Sequence, residues 1–174
     1  MKSILLITFI FISNLSIGQT IEADFEAREK LPDWIGAEVV DSAKGQSYRI
    51  DEKINPFYLE ADFNNEGMID IAIFVRNNQT GKSGIIIKHR EDKSTHILAA
   101  GQTFNKMTDL DWMDFWKLYR EPYADKTTFT DDLDIEGSER IEINYIAIQV
   151  GQSEGSSNLI IWDGKQYSWI HTGE

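Results

Sequence analysis

Asp62, Asn64, Glu66 and Asp70 stand at positions 1, 3, 5 and 9 of the stretch Asp-Phe-Asn-Asn-Glu-Gly-Met-Ile-Asp, with Gly67 at position 6. Side-chain oxygens at that spacing suit a hard cation such as Ca²⁺, which takes several oxygen ligands at once, and the glycine permits the sharp turn that gathers them. Met68, at position 7, could add only its backbone carbonyl. The plainer alternative is an Asx-rich turn, because Asn, Asp and Gly favour turns without any metal.

A weaker stretch, Asp132-Leu133-Asp134-Ile135-Glu136-Gly137-Ser138-Glu139, repeats the 1, 3, 5, 6 spacing. Its apolar residues alternate with the acids as in a solvated edge strand, the commoner meaning of such a charge run. His89, His96 and His171 supply no close ligand pair. His89 and His96 could face each other across paired strands, but a two-histidine site needs a third ligand, and exposed strand histidines are the default. No Gly-x-Ser-x-Gly, His-Glu-x-x-His or P-loop pattern occurs. Carboxylates by themselves do not make a glycosidase.

The acidic loop must be held by its flanks. Phe57 to Ala61 precedes it as a strand-like run, and after it Ile69, Ile71, Ile73 and Val75 alternate with Asp70, Ala72, Phe74 and Arg76. That alternation predicts a strand with one apolar face and Asp70 on the other, turned towards the loop. An EF-hand would place a glutamate at position 12, where this chain has Ile73, so no helix follows. Over residues 57–76 the chain resembles the FG-GAP/VCBS repeats of integrin α chains and secreted bacterial proteins. The resemblance implies an acidic loop joining two strands and binding Ca²⁺ through Asp62, Asn64, Glu66, Met68 and Asp70.

Further strands are expected at 84–88 and 96–99, forming an antiparallel meander, then at 141–150, 158–162 and 166–170. Asp163-Gly164 between the last two is a strong hairpin signal. A short helix is expected over 20–31, ending at Pro32, and one or two weak strands between 33 and 56. Thr108 and Asp111 have capping-box spacing, and Trp112, Phe115, Trp116 and Tyr119 follow at helical intervals, which predicts an aromatic-rich helix packed on the sheet. Its tryptophans read as core in preference to a sugar platform. Residues 123–139 read as a polar surface loop.

Residues 1–18 have the form of a signal peptide, with Lys2 ahead of an apolar run from Ile4 to Ile12 and small residues before Gln19. That run is too short to span a bilayer, and no later segment approaches the length required. With no cysteine there is neither a lipobox nor a disulfide framework, so the expected product is periplasmic or secreted and not a lipoprotein. The net charge of −12 makes nucleic acid or an anionic membrane a poor partner.

The expected fold is therefore a single α+β domain over 19–174, mainly antiparallel sheet with one packed helix. One loop and about ten strand-like runs are too few for a propeller, which needs at least four four-stranded blades. The layout resembles small exported proteins of Bacteroidetes type. The leading function is a non-enzymatic Ca²⁺-binding structural or interaction module with an unknown protein or glycan partner. The alternatives are a carbohydrate- or cell-wall-active enzyme working at the acidic loop, and a metal-free inhibitor or immunity-type protein.

Overall fold

Antiparallel sheet dominates the computed structural model, which describes residues 25–36, 40, 43, 47–132 and 134–173. Residues 1–18, where a signal peptide is expected, lie outside those residues. Contacts divide the chain into residues 1–37 and residues 38–174. In the first unit, residues 25–29 form one short helical turn, and Ile35 N–H closes on Pro32 O beyond it. The start of the helix expected over 20–31 lies outside the described residues. Among the described residues no helix is long and apolar enough to cross a membrane.

Among the described residues the second unit holds three sheets. The largest contains β1 (Tyr48–Ile50), β2 (Tyr58–Ala61), β3 (Asp70–Asn77), β4 (Ser83–Lys88) and β5 (Thr95–Ala99). β1 and β2 share one edge of β3, and β4 and β5 continue from the other edge as the expected meander. Asn77 Oδ1 accepts the N–H groups of Gln79 and Thr80 to turn β3 into β4. Gly84 allows no side chain: a Cβ there would sit 2.3 Å from Leu98 O and 2.4 Å from Ala100 N.

β6 (Phe115–Tyr119), β9 (Ala147–Gly151), β10 (Ser157–Trp162) and β11 (Tyr167–Gly173) form the second sheet, in the order β11-β10-β9-β6. Side chains of a strand alternate between faces. One face of each sheet accordingly meets the other: Leu59, Ala72, Phe74, Ile85, Ile87 and Leu98 pack with Trp116, Ile148, Val150 and Ile160. The Phe74 and Trp116 rings meet edge to face, 6.0 Å between centroids. β7 (Tyr123–Phe129) and β8 (Ile135–Glu142) form a separate two-stranded ribbon beside β11.

The aromatic-rich helix is not formed. Residues 108–114 are irregular and Phe115–Tyr119 is strand, paired with β9 from Phe115↔Gly151 to Tyr119↔Ala147. The polar residues that suggested a cap are claimed by β3 and β4. Thr108 Oγ1 accepts from Lys82 Nζ, Asp109 Oδ1 from Ser83 N–H, and Asp111 Oδ1 lies 2.6 Å from Arg76 Nη2. Leu110 N–H also closes on Ser83 O. With those groups drawn outward, Trp116 reaches the core by strand alternation, and its indole N–H donates to Pro56 O.

The surface loop expected over 123–139 is instead the β7–β8 ribbon, whose exposed polar side chains hid its strand character. The run expected over 141–150 is likewise divided between the end of β8 and β9. The Asp163-Gly164 hairpin is present: Asp163 Oδ1 accepts the N–H groups of Lys165 and Gln166, and Gly164 takes φ 95°.

Candidate functional site

The loop between β2 and β3 is built from the carboxylates outward. Asp62, just past β2, accepts Glu66 N–H at Oδ1 and Gly67 N–H at Oδ2, which folds the stretch back on itself. Asn65 and Gly67 take φ 59° and 91°, the left-handed conformations that Asn and Gly tolerate best. Glu66 Oε1 accepts Glu91 N–H and its Oε2 accepts from Asn64 Nδ2 at 2.7 Å. Asp70 accepts Arg90 N–H at Oδ1 and Phe63 N–H at Oδ2. All six carboxylate oxygens thus hold an N–H, and the loop is stitched to the β4–β5 turn through Arg90 and Glu91.

Asp70 lies deeper than its alternation with the isoleucines predicts. The face it shares with Ala72 and Phe74 is the one that meets the second sheet, so Asp70 is fully buried at the edge of the core. Burial pushes its carboxyl above the ordinary value, two backbone N–H bonds oppose this, and the neighbouring Glu66 charge adds to it. Met68 and Ile69 are exposed at the loop's outer side.

His89 and His96 come together, with ring centroids 4.8 Å apart between Trp162 and Tyr167. His89 is buried, against the expectation of an exposed strand histidine. Asn64 Nδ2 lies 3.1 Å from His89 Nδ1, and His89 Nε2 lies 2.7 Å from Tyr167 Oη. Turning the Asn64 amide over would set its oxygen against Glu66 Oε2, so the nitrogen donates to both neighbours. A neutral imidazole accepts at one nitrogen and donates at the other, which makes His89 Nδ1 the acceptor and Nε2–H the donor to Tyr167. Burial, then the charges of Asp70, Asp92 and Glu66, raise the Tyr167 phenol, which stays protonated. Ser94 Oγ sits 3.2 Å from His89 Nδ1 and 3.1 Å from His96 Nε2. Ser94, His89 and His96 line neither of the described cavities.

As a cation site the loop has features for and against. Each carboxylate oxygen that accepts one N–H keeps a second lone pair, and Asn64 Oδ1 is buried with no hydrogen-bond partner. Among the described residues, however, no three His, Asp or Glu side chains converge as a ligand group. The second acidic stretch is not a loop: Ile135 onward is extended β8, with Gly137 opposite Thr128.

Sequence reasoning passed over another gathering of side chains. Trp112, half-buried, lines a cleft of about 460 Å³ with Trp169, Asn158, His171, Gln152 and Lys106. The Trp112 and Trp169 centroids are 6.1 Å apart. The usable signal was Asn158, a polar residue among Leu159, Ile160 and Ile161 in an otherwise apolar strand. No family model, curated protein or solved structure matches the chain.

Proposed function

We propose that the protein is an exported, non-catalytic binding module whose Asp62 loop takes Ca²⁺ as a structural clamp. The observation that carries the reading is Asn64 Oδ1, a buried acceptor without a donor inside a loop that also contains Asp62, Glu66 and Asp70. A buried polar atom left unpaired is unfavourable by about 1–3 kcal/mol, and a cation relieves it. The same ion offsets the repulsion between Glu66 and Asp70 that helps raise the Asp70 carboxyl. Asp62, Asn64, Glu66 and Asp70 would hold it through side chains and Met68 through its carbonyl. Export rests on the leader-like form of residues 1–18.

Melting with chelator and with several concentrations of Ca²⁺ tests the clamp. At 100 times the dissociation constant the native state gains about 2.7 kcal/mol. Mg²⁺ has less effect, because it demands tighter octahedral geometry. Asn64→Ala removes the orphan oxygen and with it most of the Ca²⁺ response. An unchanged melting temperature across the Ca²⁺ series sinks the clamp. It would favour the metal-free reading instead, which the six N–H-paired carboxylate oxygens support.

A further inference from the structure

The cleft beside Trp112 and Trp169 is built in a way the acidic loop does not require. It lies between the Phe104–Met107 turn, the connection before β6, the β9–β10 connection, and the first residues of β10 with the last of β11. Its volume of about 460 Å³ falls within the range of small-molecule sites. Asn158 is only 4 % exposed, and its Oδ1 accepts the Trp169 indole N–H at 3.2 Å. That bond orients both side chains and leaves the Asn158 amide nitrogen, a double donor, with no partner among the described residues. A donor that opens onto a cavity wall from an otherwise buried side chain, fixed in place by its own acceptor bond, is an arrangement that recognises an oxygen of a ligand.

The other walls narrow the ligand's chemistry. Although the chain has 29 acidic residues and a net charge of −12, among the described residues no carboxylate lines the cleft and Lys106 is the one ammonium that does. Gln152 adds another neutral donor and acceptor, and the exposed His171 ring stands 6.2 Å from Trp169. Two indoles at 65° to each other offer apolar walls, while the amides satisfy scattered hydroxyls. Asn105 and Lys106 hold φ 46° and 64° in a tight turn at one wall, which fixes its position.

We infer that this cleft binds a neutral saccharide of one or two rings, its C–H faces against Trp112 and Trp169 and its hydroxyls on Asn158 and Gln152. The inference does not depend on Ca²⁺ at the acidic loop, so the two readings fail separately.

The test is a ¹H–¹⁵N titration of the full exported chain with glucose, galactose, N-acetylglucosamine, maltose and cellobiose. The indole N–H signals of Trp112 and Trp169 and the Asn158 amide pair shift saturably with at least one sugar, at a Kd on the order of 1 mM. The Trp162 indole, outside the cleft, does not shift. Gln152→Ala, an exposed substitution, weakens that binding at least threefold, and Asn158→Ala at least tenfold; Asp62→Ala leaves it unchanged. The site is overturned if none of the five sugars moves the Trp112 or Trp169 signals. It is overturned equally if an apolar probe such as anilinonaphthalene sulfonate saturates the cleft while the sugars do not, or if Gln152→Ala binds sugar as tightly as the wild type.

Discussion

Tyr167 and His171 lie on the same face near the two ends of β11, and the regions they belong to treat polar groups in opposite ways. Around Tyr167 the acidic loop closes on itself: Asn64 Nδ2 spans Glu66 and His89, His89 spans Asn64 and Tyr167, and every carboxylate oxygen of Asp62, Glu66 and Asp70 holds an N–H. Around His171 the side chains are held apart. Asn158 is fixed at its oxygen and open at its nitrogen, and Gln152 makes no side-chain bond among the described residues. A cluster that satisfies all of its members but Asn64 Oδ1 stabilises the fold and offers little to a ligand beyond a cation. Bound groups left unpaired on a concave wall lower stability slightly and create specificity. The richer collection of chemical groups is therefore not automatically the recognition site.

The sharpest division is between two tryptophans four residues apart. Trp116 is 3 % exposed in the sandwich core, so Trp116→Ala removes a full aromatic ring from the sheet interface and destabilises by about 3–5 kcal/mol. Trp112 is half-buried on the cleft wall, and Trp112→Ala has a stability effect of about 1 kcal/mol, the scale of an average substitution. Denaturant melts of both variants check this. Equal losses would make Trp112 a core residue and remove the contrast between the regions.

Asp70 gives the next largest effect, now inside the closed region. Asp70→Ala strips the acceptors from Phe63 N–H and Arg90 N–H, each worth about 1–3 kcal/mol if left buried and unpaired. The pH dependence has a definite sign. Burial holds the folded Asp70 carboxyl above its unfolded value, so its protonation contributes stability that is fully present below the unfolded pKa of about 3.9. That contribution is lost as pH rises through the folded value. The stability of the wild type relative to Asp70→Asn should therefore fall as pH rises above about 4. A rise over the same interval would mean that the two N–H bonds outweigh burial.

Much of the first sheet was legible because its residues obey a period of two and its turns use residues suited to them. Asn77 to Lys82 and the apolar run of β4 form as their local chemistry dictates, and so does the Asp163-Gly164 hairpin of the second sheet. What the sequence hid depended on long-range partners. Thr108 and Asp111 carry a genuine helix-start pattern, but Lys82 and Arg76 take their oxygens, and Ser83 that of Asp109, only once β3 and β4 have paired. Trp112, Phe115, Trp116 and Tyr119 fit a helical stripe, but pairing to β9 makes Phe115–Tyr119 a strand and leaves Trp112 in the irregular segment before it. Within the site, the oxygen spacing of the Asp62 loop was visible at once, whereas the His89–Tyr167 bond spans 78 residues and leaves no local trace. The cleft is assembled from four separated segments, and only Asn158 among apolar neighbours marked it.

The smallest effect separates the regions most cleanly. Tyr167→Phe deletes one oxygen and leaves a ring of nearly the same volume, so packing against Trp162 and the two histidines persists. What is lost is the acceptor for His89 Nε2–H, now buried without a partner, at about 1 kcal/mol. His89 can recover that bond only by turning its ring or exchanging tautomer, and either change withdraws Nδ1 from Asn64 Nδ2. The loss therefore reaches Glu66 and the Asp62 loop and leaves the far end of β11 alone. Denaturant melts give the magnitude, and amide exchange gives the place: faster exchange at Glu66, Gly67 and Glu91, whose N–H groups the loop carboxylates hold. Protection at Val150 and Ile160 falls only by the global loss in stability. If the N–H groups around Asn158 and His171 open as much as those of the loop, the two regions behave as one cooperative unit.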